Sequence, residues 1–439
     1  MIIRTVKEWD YLPIEPNGPD AFTRAHADRA VELAALSGLG GSEGDRILIN
    51  HPAKLRAQQT VGVIADGGMA LEILPKIEGA EADNAARKSL IHMLCGVLDL
   101  EIADGAVTDL GWQKDDLLEI LIRLFCDRLF GAVHRGLPRR YIEHRDDLPA
   151  LRGRLDAIRQ FSTLAANPSR LACHFDELSA DIALNQIMKA AVVRLGKIAK
   201  AQENKRRLSE LQLAFADVSD VPVSALRWDR VVIDRTNRSW AQLLSLAKLL
   251  LGERFQTTSL GRARGFSLLF EMNKLFEEFV GRALQRSLRG TPLGVRLQGP
   301  RSYVLQEKRE DGSDAFRFAT KPDITLSDSS GHRLIIDTKW KRLKGAIDDP
   351  KQGVSQQDIY QMMAYSHVYQ CTDLLLLYPH HKGLQAEEGL IAEHRVCGTE
   401  STRILIGSIA LDDPRSAPDK LSALLEMVGL RDGEMEKAA

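Results

Sequence analysis

This sequence of 439 residues lacks several patterns that would assign it to a class at once. No apolar run approaches the ~20 residues of a membrane-spanning helix, so we expect no membrane segment. The N-terminal residues lack the profile of a secretory signal peptide. The five cysteines are odd in number and have no C-x-x-C spacing, which predicts reduced thiols rather than a zinc site or a disulfide framework. These absences together predict a cytoplasmic protein.

Two further absences concern charge and nucleotides. The chain has 59 Lys and Arg against 60 Asp and Glu, a formal net charge of -1, so any contact with nucleic acid must come from local patches. No G-x-x-x-x-G-K-[ST] motif occurs, so no nucleotide is expected on this chain. Hydrophobic residues make up 44% and charged residues 27%, which is typical of a soluble globular protein with two or three domains.

The most informative pattern is a proline-aspartate pair, a spacer and then Asp-Thr-Lys. Residues 316–326 and 332–340 predict two strands joined by a turn. Side chains alternate along a strand, so Asp337 and Lys339 share a face, and a hairpin register can bring Asp323 beside them. Two neighbouring carboxylates repel unless a cation lies between them, and Mg²⁺ takes oxygen ligands. The alternative interpretation is a solvated hairpin with ordinary surface charges.

A helix pattern precedes these strands. Residues 266–280 place apolar side chains at the helical repeat, so this segment is expected to pack on a core. It carries three acids, Glu271, Glu277 and Glu278. On the residues alone, all three can be exposed helix charges.

A second helix pattern follows the strands, at residues 358–365. Gln361 and Tyr365 are one turn apart and therefore lie on the same face. An amide and a phenol can hydrogen-bond phosphate or water without adding charge. The alternative is a surface Gln361 and a Tyr365 packed in the core.

In this order the elements resemble the core of the PD-(D/E)XK nucleases, with Asp337 where many members have Glu. The pair Gln361 and Tyr365 resembles the Q-x-x-x-Y element that follows the active-site lysine in RecB-like nucleases. In this family a helix before the metal-binding hairpin often supplies another acid. Similarity to the family's helices favours Glu277 for that role, with Glu271 second and Glu278 third.

Further blocks extend the resemblance from about residue 45 to 380. They lie at residues 61–64, 71–77, 151–155, 175–181, 185–187 and 272–280. With the nuclease core, their order makes the sequence similar to McrC, the nuclease subunit of McrBC-type, modification-dependent (type IV) restriction systems.

That resemblance implies a division of labour between two proteins. McrC-like proteins cut DNA only with McrB, an AAA+ GTPase whose hydrolysis they stimulate. The expected partners are therefore an McrB-like AAA+ GTPase, on which GTP is bound, and double-stranded, methylated DNA. Reading of the methylated base is expected to reside in the GTPase.

The resemblance also implies Mg²⁺-dependent hydrolysis of phosphodiester bonds. The residues expected to hold Mg²⁺ are Asp323, Asp337, Glu277 and, through its main-chain carbonyl, Thr338. Lys339 is expected to orient or deprotonate the attacking water and to counter charge on the phosphate. Gln361 and Tyr365 are expected to support the lysine or the DNA backbone.

The fold expected is mixed α/β, in three parts. Residues 1–155 form an α+β N-terminal domain that binds the McrB-like motor, 156–255 a mainly helical middle segment, and 256–439 a PD-(D/E)XK (restriction-endonuclease-like) domain. Two other functions remain open. One is a self-sufficient RecB-like nuclease for DNA repair or processing, and the other is a non-catalytic activator of a motor.

Overall fold

The computed structural model describes residues 2–16, 18, 21–37, 39, 47–66, 68–77, 83–100, 116–167, 169–252, 265–311, 313–343, 353–384, 386–398 and 401–430. The chain forms two compact units. The first contains residues 1–117 and 255–439, and the second contains residues 118–254.

Within these ranges the strands are β1 (Ile2–Lys7), β2 (Tyr11–Pro13), β3 (Leu48–Asn50), β4 (Lys54–Ala57), β5 (Thr60–Asp66), β6 (Met69–Leu74), β7 (Arg140–Leu148), β8 (Arg154–Leu155), β9 (Leu171–Ser179), β10 (Gly265–Glu271), β11 (Gly294–Leu297), β12 (Ser302–Lys308), β13 (Asp314–Thr320), β14 (Ile324–Asp328), β15 (Gly331–Thr338), β16 (Asp373–Pro379), β17 (Gly389–Arg395) and β18 (Arg403–Ile409).

The α-helices in the same ranges are α1 (Arg24–Leu36), α2 (Asp83–Val97), α3 (Leu117–Val133), α4 (Ala157–Phe161), α5 (Ala183–Ile198), α6 (Gln202–Ala214), α7 (Ala241–Leu251), α8 (Met272–Ser287), α9 (Gln356–Tyr369) and α10 (Ala417–Met427). Among the described residues, no helix is both long and apolar enough to cross a membrane.

The first unit is built around a six-stranded sheet with the order β11-β14-β15-β16-β18-β17. Strands β15, β16 and β18 are parallel, and the outer pairings are antiparallel. β16 is an almost continuous run of leucines, as expected for a parallel strand covered on both faces. On one face Leu374 and Leu376 pack with Met362 of α9. On the other face, Gly407 of β18 leaves room where Leu375 and Leu424 of α10 approach each other.

A four-stranded sheet, β1-β6-β5-β10, brings the N-terminal residues into the same unit. β10 pairs antiparallel with β5 along its whole length, from Gly265 opposite Asp66 to Glu271 opposite Thr60. Gly62 makes this pairing possible, because a Cβ at that position would lie 1.9 Å from the carbonyl oxygen of Leu268. Its φ of +135° is also one that glycine alone adopts readily.

Smaller sheets complete the two units. In the first unit, β2-β4-β3 form one three-stranded sheet, and β12 and β13 form a separate two-stranded hairpin. The second unit contains the sheet β7-β9-β8, the helices α4 to α7 and nearly all of α3. All five cysteines are free thiols, and only Cys397 among them is exposed.

The helix predicted for residues 266–280 is wrong in its first six residues. Residues 265–271 are strand β10, and the helix α8 begins at Met272. Phe266, Leu268 and Phe270 are apolar residues at alternate positions, and hydrogen bonding to β5 favours the extended backbone over the local helical pattern. Glu271 therefore precedes the helix, whereas Glu277 lies within it.

The single strand predicted for residues 316–326 is interrupted. β13 ends at Thr320 and β14 begins at Ile324. Pro322 lies in the gap and has no N–H for a sheet ladder. Its carbonyl accepts a hydrogen bond from Gly299 N at 2.8 Å. The break allows the β12–β13 hairpin to leave the main sheet just before Asp323.

The two compact units divide the chain differently from the three predicted domains. Residues 1–117 group with 255–439, because strands near the N-terminus pair with β10. The second unit, 118–254, overlaps the predicted middle segment but contains a sheet as well as helices. The assignment of motor binding to residues 1–155 stays a prediction.

A buried contact joins the N-terminal strand to the chain just after the Asp-Thr-Lys motif. Trp340 Nε1 donates hydrogen bonds to Glu8 Oε1 at 2.8 Å and to Oε2 at 3.1 Å. The backbone N–H of Lys76 also donates to Glu8 Oε1, at 2.9 Å. Burial raises the pKa of Glu8 to about 7, although these hydrogen bonds oppose the shift.

Glu8 should make the stability of the protein depend on pH. Its pKa is higher in the folded state than in the unfolded chain, so the folded state binds more protons between about pH 4.5 and 7. The free energy of unfolding should therefore fall by about 3 kcal/mol as the pH rises through this window. Glu8→Gln keeps an acceptor for Trp340 without the charge, and should remove this fall.

The measurement is denaturant unfolding of the wild type and Glu8→Gln at about pH 5 and about pH 8. The variant should gain stability relative to the wild type only at the higher pH. Equal pH dependence of the two proteins would contradict the assignment.

Candidate active site

The break before β14 places Asp323 against the end of β15. Asp323 Oδ2 accepts hydrogen bonds from Thr338 N at 2.8 Å and from Thr338 Oγ1 at 2.9 Å. Burial raises the pKa of Asp323, and the two Thr338 donors work against that shift. One oxygen of a partly buried carboxylate is thus fixed by the strand that carries the Asp-Thr-Lys motif.

Asp337 and Lys339 lie on the same face, as the strand alternation predicts. Lys339 Nζ lies 2.7 Å from Asp337 Oδ2. Asp337 is only 1% exposed, and this oxygen has no hydrogen bond of good geometry within the described part of the chain. Burial, and next the charge of Asp323, raise the pKa of Asp337 to about 6. The two aspartates are therefore close enough to disfavour each other's ionised form.

Glu277 reaches the same group from α8. Burial, and next the charge of Asp323, raise its pKa to about 7, and Asp337 adds to the shift. Gln298 donates a hydrogen bond to its carboxylate. The other two acids on this segment pair elsewhere: Glu271 with Lys274, and Glu278 with Arg282 at 3.9 Å. The charge that acts on Glu277 distinguishes it from Glu271 and Glu278 as the acid near the aspartates.

The ammonium of Lys339 is surrounded by acceptors. It donates to Gln361 Oε1 at 3.1 Å and lies 3.8 Å from Asp358 Oδ1. Gln361 Nε2 in turn donates to Tyr365 Oη at 2.7 Å. Burial lowers the pKa of Lys339, but the carboxylates, Asp337 first among them, outweigh it and raise the pKa overall. Gln361 and Tyr365 thus form a chain of hydrogen bonds behind the lysine.

Three contributors to this arrangement were not identified from the sequence. Asp358 pairs with both Lys339 and Lys341. The amide and hydroxyl of Thr338 hold Asp323, whereas only the carbonyl of Thr338 was considered. Gln298 bonds to Glu277. Asp358 could have been found, because it lies three residues before Gln361 and so shares its face of the helix.

The carboxylate oxygens of this cluster are ligands that a hard divalent cation prefers, but they do not form a complete metal site. Asp323, which is partly buried, and Asp337, which is buried, are neighbouring carboxylates whose mutual repulsion a cation relieves, and the nearest cation to Asp337 Oδ2 in the described residues is Lys339 Nζ, at 2.7 Å. Within the described ranges, no three His, Cys, Asp or Glu side chains converge as a preformed metal site. The charges of both aspartates act on Glu277, which does not complete such a cluster. Two neighbouring carboxylates are oxygen ligands of the kind that Mg²⁺ takes.

The chain is similar to known restriction proteins in sequence and in fold. A family model described as McrBC 5-methylcytosine restriction system component matches residues 55–379. The type IV methyl-directed restriction enzyme EcoKMcrBC of Escherichia coli (strain K12) is 21% identical over 280 residues, which cover 61% of this chain and 78% of that protein.

Two solved structures from Thermococcus gammatolerans are similar to this fold. One is a refined half-complex from a tetradecameric assembly of McrB AAA+ hexamers with bound McrC. It matches with a TM-score of 0.71 and 21% identity, over 97% of this chain and 100% of that chain. The other is a McrBC complex, with a TM-score of 0.52 and 25% identity, over 65% of this chain and 88% of that chain.

Asp358→Asn should disturb the position of Lys339 without unfolding the protein. The amide keeps the shape of the carboxylate but removes the charge that holds two lysines. We expect nuclease activity on DNA to fall about 10- to 100-fold, because small displacements of a reacting group carry penalties of this size. A matched control is Asp373→Asn, at the other end of the parallel strands, where Asp373 pairs with Arg403 at 2.7 Å. Equal rates for the two variants would contradict a positioning role for Asp358.

Proposed function

Because this chain belongs to the McrBC 5-methylcytosine restriction system component family, we propose that it is the DNA-cutting subunit of such a system. The reaction proposed is Mg²⁺-dependent hydrolysis of phosphodiester bonds in double-stranded, methylated DNA. The observation that carries the proposal is the contact of Lys339 with Asp337 at 2.7 Å, next to an Asp323 held by Thr338. Two neighbouring carboxylates, one buried and one partly buried, and an amine at one strand end are the groups that a PD-(D/E)XK nuclease requires.

In the proposed reaction the carboxylates hold the cation. Asp323 and Asp337 would bind Mg²⁺ with the main-chain carbonyl of Thr338, and Glu277 would bind it directly or through water. When bound, Mg²⁺ supplies a Lewis acid that polarises the phosphoryl oxygens and lowers the pKa of water. Asp323 is well prepared for this role, because its second oxygen, Oδ2, is already fixed by Thr338.

Lys339 has a different role in the proposed reaction. All its contacts described above are with acceptors, which favour the charged ammonium. A fixed ammonium orients the attacking water and offsets the negative charge that grows on the phosphate in the transition state. Gln361 and Asp358 hold the ammonium in place, and Tyr365 holds Gln361. The ammonium of Lys339 is thus already held in a defined position before the proposed reaction begins.

The partner proposed for this chain is an McrB-like AAA+ GTPase. The similar chain from Thermococcus gammatolerans comes from an assembly of McrB AAA+ hexamers with bound McrC. The sequence of this chain has no P-loop motif, so the nucleotide of the proposed complex belongs on the partner. We propose that this chain stimulates the hydrolysis of GTP by that partner and cuts DNA only in the complex.

Asp337→Ala should separate the two proposed activities. Removal of this carboxylate takes away a cation ligand, so Mg²⁺-dependent cleavage of methylated duplex DNA should be abolished. Lys339 keeps Asp358 and Gln361 as partners, so the fold should survive. The measurements are plasmid cleavage and GTP hydrolysis by the reconstituted complex, where stimulation of the GTPase should remain at the wild-type level.

The control is Asp373→Ala, which also removes an aspartate of the six-stranded sheet, but from the opposite end of the neighbouring strand. It should leave cleavage unchanged. Cleavage that survives Asp337→Ala would refute the active-site assignment. Cleavage of unmodified DNA without a partner would favour the self-sufficient nuclease instead.

A further inference from the structure

The β12–β13 hairpin exposes an unusual amount of apolar surface for a two-stranded element. Phe318 is 72% exposed, Phe316 56% and Leu305 54%, and Tyr303 and Val304 are also exposed. Tyr303 and Phe316 are in ring contact, with centroids 5.5 Å apart. Large exposed apolar residues that cluster on one element mark an interaction surface.

Both ends of this hairpin are attached to the candidate active site. Before it, Gln298 N donates to Asp323 O at 2.6 Å, and the side chain of Gln298 bonds to Glu277. At its base, Tyr369 Oη lies 2.7 Å from Pro300 O and 2.8 Å from Thr320 O, and donates to one of them. A molecule bound along the hairpin is therefore held next to the catalytic carboxylates.

Phe318 is in a strained backbone conformation. Its φ is +55°, in the left-handed region that bulky residues avoid. Nothing in the packing of its side chain offsets this strain, because the ring is mostly exposed to solvent. Residues held in such conformations concentrate at binding and catalytic sites. The strain at this exposed ring therefore indicates that the ring contacts another molecule rather than the core of the protein.

Charge on the hairpin is mixed, with basic residues towards its base. Arg301 lies over the ring of Tyr303, at 5.5 Å from its centroid, and Lys321 directly follows β13. Arg317 pairs with Glu307 at 2.9 Å. Acids near the turn, such as Asp311, offset most of the remaining cations and leave a small positive excess. The aromatic rings, rather than the net charge, are therefore the distinctive feature of the surface.

We propose that the β12–β13 hairpin lies in the major groove of duplex DNA beside the cleaved phosphodiester bond, with Phe316 and Phe318 against base edges. The major groove, about 12 Å wide, admits a two-stranded ribbon, and phenylalanine contacts pyrimidine methyl groups there. Strands of seven residues reach about 24 Å, or about seven base pairs from the site.

This inference rests on the proposed function, since it takes duplex DNA as the substrate of the adjacent site. The attachment of both hairpin ends to Glu277, Asp323 and Tyr369 favours DNA over a protein partner, because the substrate is the molecule that must reach these residues. A second copy of this chain on the hairpin is an outcome that the test distinguishes.

The test uses Phe316→Ala and Phe318→Gly in the full-length chain, with Met427→Ala on α10 as a control of similar exposure, 58%. Binding to a fluorescent duplex is measured by anisotropy without divalent metal, so that no cleavage occurs. Each hairpin variant should bind about tenfold more weakly, because the apolar contact with the base edges is lost, and the control should bind like the wild type. The loss should be equal at low and high salt, because the removed contact carries no charge.

Stability provides an independent readout. Glycine relieves the strain at position 318, so Phe318→Gly should unfold at the same or a higher denaturant concentration than the wild type.

Several results would overturn the inference. These are no binding of duplex by the wild type, unchanged affinity of both hairpin variants, a loss confined to single-stranded DNA, or a change only in self-association during sedimentation. Because binding is measured without metal, its outcome is separate from that of the Asp337→Ala cleavage test. Weaker binding by the hairpin variants would support the contact between the hairpin and DNA even if no nuclease activity were found.

Discussion

The arrangement of the candidate site depends on one electrostatic constraint: the partly buried Asp323 lies beside the buried Asp337, and Lys339 Nζ lies 2.7 Å from Asp337 Oδ2. Buried like charges are unfavourable unless a cation compensates them. The surrounding structure supplies that compensation through the lysine and through the two donors of Thr338. The same excess of negative charge is the basis on which a divalent cation is proposed for this cluster.

The central sheet keeps this cluster rigid. β15 pairs with β16 in parallel, and the pairing continues beyond the strand, where Lys339 N donates to Leu377 O at 2.9 Å. Trp340, the next residue, contacts Glu8 and also packs against Phe276, the neighbour of Glu277, with ring centroids 5.4 Å apart. The chain after β1, the end of β15 and helix α8 therefore support one another, and Lys339 lies between contacts of this kind on both sides.

The interruption at Pro322 connects this rigid site to an exposed element. Since the proline cannot continue the ladder, the chain leaves the sheet as the β12–β13 hairpin and returns directly at Asp323. Tyr369 of α9 is bonded at the base of the hairpin, and the same helix carries Gln361 behind Lys339. The base of the hairpin and the position of the lysine thus both depend on helix α9.

The sequence by itself determined the residue types, the strand alternation of Asp337 and Lys339 and the one-turn spacing of Gln361 and Tyr365, because these follow from local periodicity. It misplaced the start of helix α8 and missed the break at Pro322, since pairing of β10 with β5 overrides a local helical pattern. Only the tertiary structure decided that Glu277, rather than Glu271 or Glu278, faces the aspartates, that Asp358 holds Lys339, and that Glu8 reaches Trp340. These contacts join residues far apart in the chain, and their distances depend on how the sheets and helices pack.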